Sequence, residues 1–192
     1  MINYFINDTE TGGTNVATDA LLEAGAILLN EDREEFASWS ATIEPALGLR
    51  ISNDALRVQN RNFQGLLGHE LDEFMALYNL NKWVEENIDV EQFGLPTYGG
   101  FNCSFDLGIM SAAYERVGLK PCYIVPERDG PIDVYRMAQK LLKVPRDVPN
   151  RKLTTLADYF GVRELNAHHT IPDCRMTASV WRRLVEIERL AA

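Results

Sequence analysis

Hydrophobic and polar positions alternate in the first third of the chain and then settle into a longer period. Residues 2–7 read as an apolar strand, and residues 20–29 (ALLEAGAILL) as a second in which Glu23 is the only charge. In residues 35–43 (EFASWSATI), Ala37, Trp39, Ala41 and Ile43 share one face while Ser38, Ser40 and Thr42 share the other. That period of two predicts a strand with one buried face. Short polar turns, near Asn15 and at Asn30-Glu31-Asp32, join the three segments, so an antiparallel meander is expected. Across 70–87 the period becomes helical, with Leu71, Phe74, Met75, Tyr78 and then Trp83-Val84 in phase. Residues 96–101 (PTYGGF) predict a fourth strand and 106–117 a helix. Residues 123–125 or 131–134 supply the last strand, and further helices are expected at about 133–142, 153–160 and 174–190. Strands first, then strands alternating with helices, predict an α/β fold. Its sheet is mixed and five-stranded, an antiparallel meander followed by parallel strands, flanked by helices.

Composition narrows the class. With 192 residues and no repeat, low-complexity tract or linker, one domain over 1–192 is expected. No apolar run reaches the length of a membrane span, and no basic start leads into an apolar stretch, so a cytoplasmic protein is expected. Cys103, Cys122 and Cys174 are odd in number and lack CxxC spacing. They read as reduced thiols rather than disulfides or a zinc site. The net charge of −9, from 28 acids and 19 bases, disfavours a broad grip on nucleic acid but leaves room for a local basic groove. Lys140, Lys143, Arg146, Arg151 and Lys152 crowd one segment against the single acid Asp147. They form either a solvated loop or a flank that tracks phosphates, to which Arg175, Arg182 and Arg183 would add.

Candidate chemistry lies in carboxylates at element ends. Asp8 and Glu10 are two apart on a strand, hence on one face and about 7 Å apart along the backbone. Two like charges there call for a cation between them. Asp106 begins a helix stripe continued by Met110, Ala113 and Val117, and Asp173 begins one continued by Thr177, Val180, Trp181 and Leu184. Each aspartate is either a helix cap or a carboxylate aimed at the sheet. Four such groups converging on one edge would need metal to stay ionised, and hard oxygen ligands suit Mg²⁺ or Mn²⁺ rather than zinc. The chain has three histidines, His69, His168 and His169. His168, five residues before Asp173, is either an exposed loop residue or a general base near neutral pH.

These motifs, Asp8-x-Glu10, Asn102-x-x-Phe105-Asp106 and His168-x4-Asp173, resemble in order and separation those of the DEDD-type, DnaQ-like 3′→5′ exonucleases. The likeness is to the ribonuclease T-like, histidine-containing subgroup. The stretches DTETGGTNVATDALLEAGAILL, FNCSFDLGIMSAAYERVGL and AHHTIPDCRMTA extend it from about residue 4 to about residue 185. The resemblance implies a ribonuclease H-like sheet. It implies two Mg²⁺ per site, with Mn²⁺ as a substitute, held by Asp8, Glu10, Asp106 and Asp173. It makes His168 the general base, His169 being one residue too close to Asp173, and makes Asp133 structural. It places Thr11, Gly12, Gly13, Thr14, Asn102 and Phe105 against the substrate. The implied reaction removes nucleoside 5′-monophosphates from single-stranded 3′ ends, with DNA slightly ahead of RNA. The alternatives are an exoribonuclease of oligoribonuclease type and a non-catalytic nucleic-acid-binding module of the same fold. A homodimer fits the resemblance, and a proofreading role would require a partner polymerase chain. Two positions depart from the pattern. Thr14 stands where relatives usually carry Leu, Phe or Met as a wedge between bases, and Phe101 where His or Tyr often precedes the asparagine.

Overall fold

The computed structural model of the chain describes residues 3–59, 71–144, 146–164 and 169–191. Strand β1 (Tyr4–Thr11) lies at the centre of a five-stranded sheet ordered β3-β2-β1-β4-β5 among the described residues. β2 (Leu21–Leu29) and β3 (Glu35–Thr42) continue from it antiparallel, while β4 (Thr97–Gly100) and β5 (Ile132–Asp133) run parallel. The expected mixed sheet is therefore present. Its last strand is the one at 131–134; Ile124 contributes only an isolated bridge to Thr97. Every residue of β2 is buried because helices cover both faces of the sheet, which is why its sequence is nearly all apolar rather than alternating.

Alternation along β1 and β2 sorts side chains into two layers. Phe5 and Leu28, with Tyr98 of β4, pack toward α2 (Glu73–Asn87) and α4 (Ser104–Val117). Ile6, Ile27 and Leu29 pack toward α5 (Val134–Leu141), α6 (Leu153–Phe160) and the long α7 (Thr170–Ala191). The short helices α1 (Asn53–Val58) and α3 (Val90–Phe93) give too little periodicity to be read from sequence. The position of α4 is locked by Arg116, whose Nε and Nη2 donate to Glu73 Oε2 and Oε1 at 2.9 and 2.7 Å. A forked pair of this kind on a buried glutamate fixes orientation as well as distance. Among the described residues no helix is long and apolar enough to cross a membrane.

Two helix starts differ from the pattern in a way that matters. α4 begins at Ser104 rather than 106, with Cys103 as its cap residue and no capping side chain. α7 begins at Thr170 rather than 174, and the Asp173 N–H donates to the His169 carbonyl at 3.1 Å. Asp106 and Asp173 thus lie inside first turns, and the reading of either as a helix cap does not hold.

Candidate active site

The register of β1 with β4 ends at Ile6 and Gly99, whereas β1 stays paired with β2 as far as Thr11. Beyond Ile6 one edge of β1 therefore lacks a strand neighbour. This opens a crevice at the carboxyl ends of the two parallel strands, the usual ligand position in open α/β sheets. Asp8 and Glu10 lie there on the Ile6 side, facing the α7 layer. Asp106 arrives from the opposite layer. The Thr9 N–H and the Thr9 hydroxyl both donate to Asp106 Oδ1, at 3.0 and 2.7 Å. The residue between the two acids of β1 thus captures the third, using the backbone donor that β4 leaves free. Asp173 is carried in on the first turn of α7.

The electrostatics of Asp8 record this convergence. Its carboxyl is pushed well above the usual value of 3.8, first by burial and then by the charges of Asp106, Asp173 and Glu10. Burial raises Asp106 as well, against the lowering effect of its two bonds from Thr9. Burial and the charges of Asp8, Asp106 and Asp173 raise the Cys174 thiol, so in the metal-free protein it stays protonated. Among the described residues, no three or more acidic, histidine or cysteine side chains form a finished ion cage. Asp106, Asp173 and Glu10 stand within electrostatic reach of Asp8 but form no ligating cluster with it among the described residues. An all-oxygen set of four acids, one destabilised first by burial and then by the others, fits a hard divalent cation and not a thiolate metal. His168 lies outside the described residues; its neighbour His169 is exposed.

Beside the carboxylates lies a cleft of about 540 Å³, lined in part by Thr11, Gly13, Thr14 and Phe105. All four are among the expected substrate contacts. Gly12 and Asn102 are not part of its lining. Gly12 is a buttress, donating its N–H to the Ala20 carbonyl and accepting from the Ser52 N–H, both at 2.7 Å. Asn102 sits at a left-handed φ of 53° and gives its N–H to Asp133 Oδ1 at 3.1 Å. The opposite wall, with Asp19, Arg50 and Gln59, carries no signal in the sequence pattern. Gln59 Nε2 donates to the Thr11 carbonyl at 2.7 Å, while its Oε1 is buried with no partner. Thr9 was legible in principle, as a hydroxyl flanked by two acids at a strand end.

Asp133 plays the structural part implied for it. Its Oδ1 also accepts from the N–H groups of Tyr135 and Arg136, at 3.0 and 3.3 Å, capping α5 while it holds the turn that leads into α4. Asp133→Ala is expected to cost about 1–3 kcal/mol in urea unfolding, from the loss of a cap and a buried acceptor. It should slow turnover less than Asp106→Ala does. The basic segment is partly spent internally. Lys140 pairs with Glu188 at 2.7 Å, Arg146 with Asp147 at 2.9 Å, and Arg151 donates to the Leu142 carbonyl at 2.6 Å. As a phosphate-tracking flank it is weaker than its composition suggests.

Comparison with known proteins finds similar chains. A family model described as RNase_T, Exonuclease, matches residues 5–181. Ribonuclease T of Salmonella choleraesuis (strain SC-B67) is 32% identical over 117 residues, covering 59% of this chain and 54% of that protein. E. coli exonuclease I in complex with a dT13 oligonucleotide superposes with a TM-score of 0.79 at 16% identity, over 100% of this chain and 42% of that one. The zinc-ion-bound E. coli exonuclease I–single-stranded DNA complex gives 0.75 at 18%, over 98% and 41%. The chain thus spans about half the length of the curated relatives it matches.

Proposed function

The chain belongs to the RNase T exonuclease family, and from that membership we propose that it is a metal-dependent 3′→5′ exonuclease of single-stranded nucleic acid. The observation that carries this reading is Asp8, a carboxyl destabilised by burial and by three further carboxylates at the open end of β1. Divalent ions held by Asp8, Glu10, Asp106 and Asp173 would neutralise phosphate charge and acidify water. The remaining work falls to the chain itself. Thr9 fixes the direction of the Asp106 carboxylate. The cleft takes the terminal nucleoside, with Phe105 and Gln59 in its lining. Thr14 is a short side chain where a wedge would otherwise stand, so stacking on the last base is weaker. His168 accepts the proton of the attacking water. The products are a nucleoside 5′-monophosphate and a chain shorter by one residue.

The substrate includes both DNA and RNA 3′ ends. The curated relatives are named ribonuclease T, which brings RNA level with the DNA expected from the sequence. Matched labelled DNA and RNA oligonucleotides, incubated with Mg²⁺, Mn²⁺ or EDTA and sized on a gel, provide the test. A ladder shortening by single nucleotides is expected with either metal and none with EDTA. His168→Ala should slow it by about 10²–10⁴-fold while leaving metal binding mostly intact. Absence of cleavage of both polymers, or cleavage undiminished by EDTA, would exclude the proposed function. Binding without cleavage would identify a non-catalytic module.

A further inference from the structure

We propose that Glu23 is a positioning residue of this site: its carboxylate fastens the first turn of α7 and thereby sets Asp173 over Asp8. For its effect on turnover Glu23 depends on the exonuclease function proposed above; its hydrogen bonds do not. Glu23 is the one charge in a strand buried at every position, and it is only 8% exposed. Strand register puts it opposite Glu10 on the same face of the sheet. Like charges in that relation repel, so the carboxylate needs a donor elsewhere. It finds one 147 residues away: the Thr170 hydroxyl donates to Glu23 Oε1 at 2.7 Å, and the Thr170 N–H reaches the same atom at 3.4 Å.

Thr170 is the first residue of α7, where backbone N–H groups lack helical partners and the helix dipole is positive. Glu23 therefore does from a neighbouring strand what a capping acid does from within a helix. Two residues along β2, Gly25 stands opposite Asp8. A Cβ at Gly25 would lie 2.2 Å from Thr170 Oγ1 and 2.4 Å from Thr170 Cβ, so glycine is what lets the helix approach this closely. The Cys174 thiol adds a contact to the Gly25 carbonyl at 3.7 Å. The turn that carries Asp173 is thus seated on Glu23 and Gly25, the β2 partners of Glu10 and Asp8.

Glu23→Ala, Glu23→Gln, Thr170→Val and the Glu23→Ala/Thr170→Val double variant test this on matched oligonucleotides. Glu23→Ala and Thr170→Val should each lower kcat by about 10–100-fold, with a higher Mg²⁺ requirement and little change in KM. The double variant should be no slower than the slower single one, because both remove the same contact. Glu23→Gln, whose amide oxygen accepts the same hydroxyl proton, should recover most of the loss. In the metal-free protein, amide hydrogen exchange over residues 170–174 should quicken in Glu23→Ala but not in Glu23→Gln. Unchanged kcat or unchanged exchange in Glu23→Ala would overturn the proposal, and so would a Glu23→Gln protein as slow as Glu23→Ala. Should Glu23→Ala fail to fold, Thr170→Val and Glu23→Gln decide. If the wild-type protein cleaves nothing, the exonuclease function falls while the exchange measurement still decides whether Glu23 seats α7.

Discussion

An Asp8→Asn protein is expected to lose activity by about 10³-fold or more, as loss of a principal catalytic group does, and yet, freed of metal, to melt at a higher temperature than the wild type. The two effects share one cause. Asp8 is held among Asp106, Asp173 and Glu10 with its carboxyl raised well above 3.8, so in the metal-free fold its charge is a liability. The folded chain binds that proton more tightly than the unfolded chain does. Stability from this group is therefore fully present below the usual aspartate value and is lost as pH rises through the elevated folded one. In EDTA, the melting advantage of Asp8→Asn should be near zero in that acidic range, grow as pH rises, and level off above the folded value. A chain of this size shifts by about 2–4 °C per kcal/mol, so a gain of even about 1 kcal/mol is measurable by thermal melts. Saturating Mg²⁺ should reverse the order, since an ion at 100 times its dissociation constant stabilises the protein that binds it by about 2.7 kcal/mol. An Asp8→Asn protein that melts lower than wild type in EDTA at pH 8 would show that the Asp8 charge is not the liability that its burial and its three acidic neighbours make it.

Gly12→Ala is expected to be the most damaging single change in the backbone that supports the cleft. A Cβ there would lie 2.3 Å from the Arg50 carbonyl oxygen and 3.0 Å from Ile51 Cα. Both are backbone atoms, so no side chain can swing aside. Gly12 is pinned on either side by its bonds to Ala20 and Ser52, and Ala20 in turn donates its N–H to the Arg50 carbonyl at 3.0 Å. Making room means pushing residues 50–52 outward and breaking some of these bonds. Ser52 also caps α1, accepting from the Ala55 N–H at 3.1 Å, so the displacement passes into the helix that leads to Gln59. Strain and lost hydrogen bonds together should cost about 2–4 kcal/mol, read as a lower midpoint in urea. Because the displaced segment forms a wall of the cleft, KM for an oligonucleotide should rise by about tenfold, a loss of about 1.4 kcal/mol in binding. Wild-type stability and KM in Gly12→Ala would mean that the 50–52 wall yields freely.

How much of this was legible in advance varies by element. β3 shows clean periodicity and was readable residue by residue, whereas α2 was readable as a helix but not by its buried face: Phe74, Met75 and Tyr78 of the expected stripe are exposed, and Ala76, Leu77, Leu80 and Val84 are buried instead. β2 was readable as a strand because its apolar run is short and ends at the polar turn Asn30-Glu31-Asp32. α1 and α3 were not, since six and four residues are held by caps and neighbours rather than by a buried stripe. Asp8, Glu10, Asp106 and Asp173 could be singled out by element ends and motif spacing, yet the last two also suited helix caps. What separates the two outcomes is where α4 and α7 begin, a matter of two to four residues that local pattern does not resolve. Gln59 and Arg50 had no signal because their roles arise from a wall built across the chain. Glu23 did stand out, as the sole charge in a buried strand, but its partner Thr170 could not be inferred from either segment.

From sequence alone came the alternation that makes β1 to β3 a meander, the apolar stripes that bind helices to both faces, and the identity of four acids at element ends. Tertiary structure alone decided that Asp106, Asp173 and Glu10 lie within electrostatic reach of Asp8. β4 stops short and leaves a Thr9 donor for Asp106, while Gly25 lets α7 settle close enough to bring Asp173 from the other layer. The reason is physical: periodicity reports which face of an element is buried, whereas the meeting of charges depends on where strands end and how closely helices can approach them.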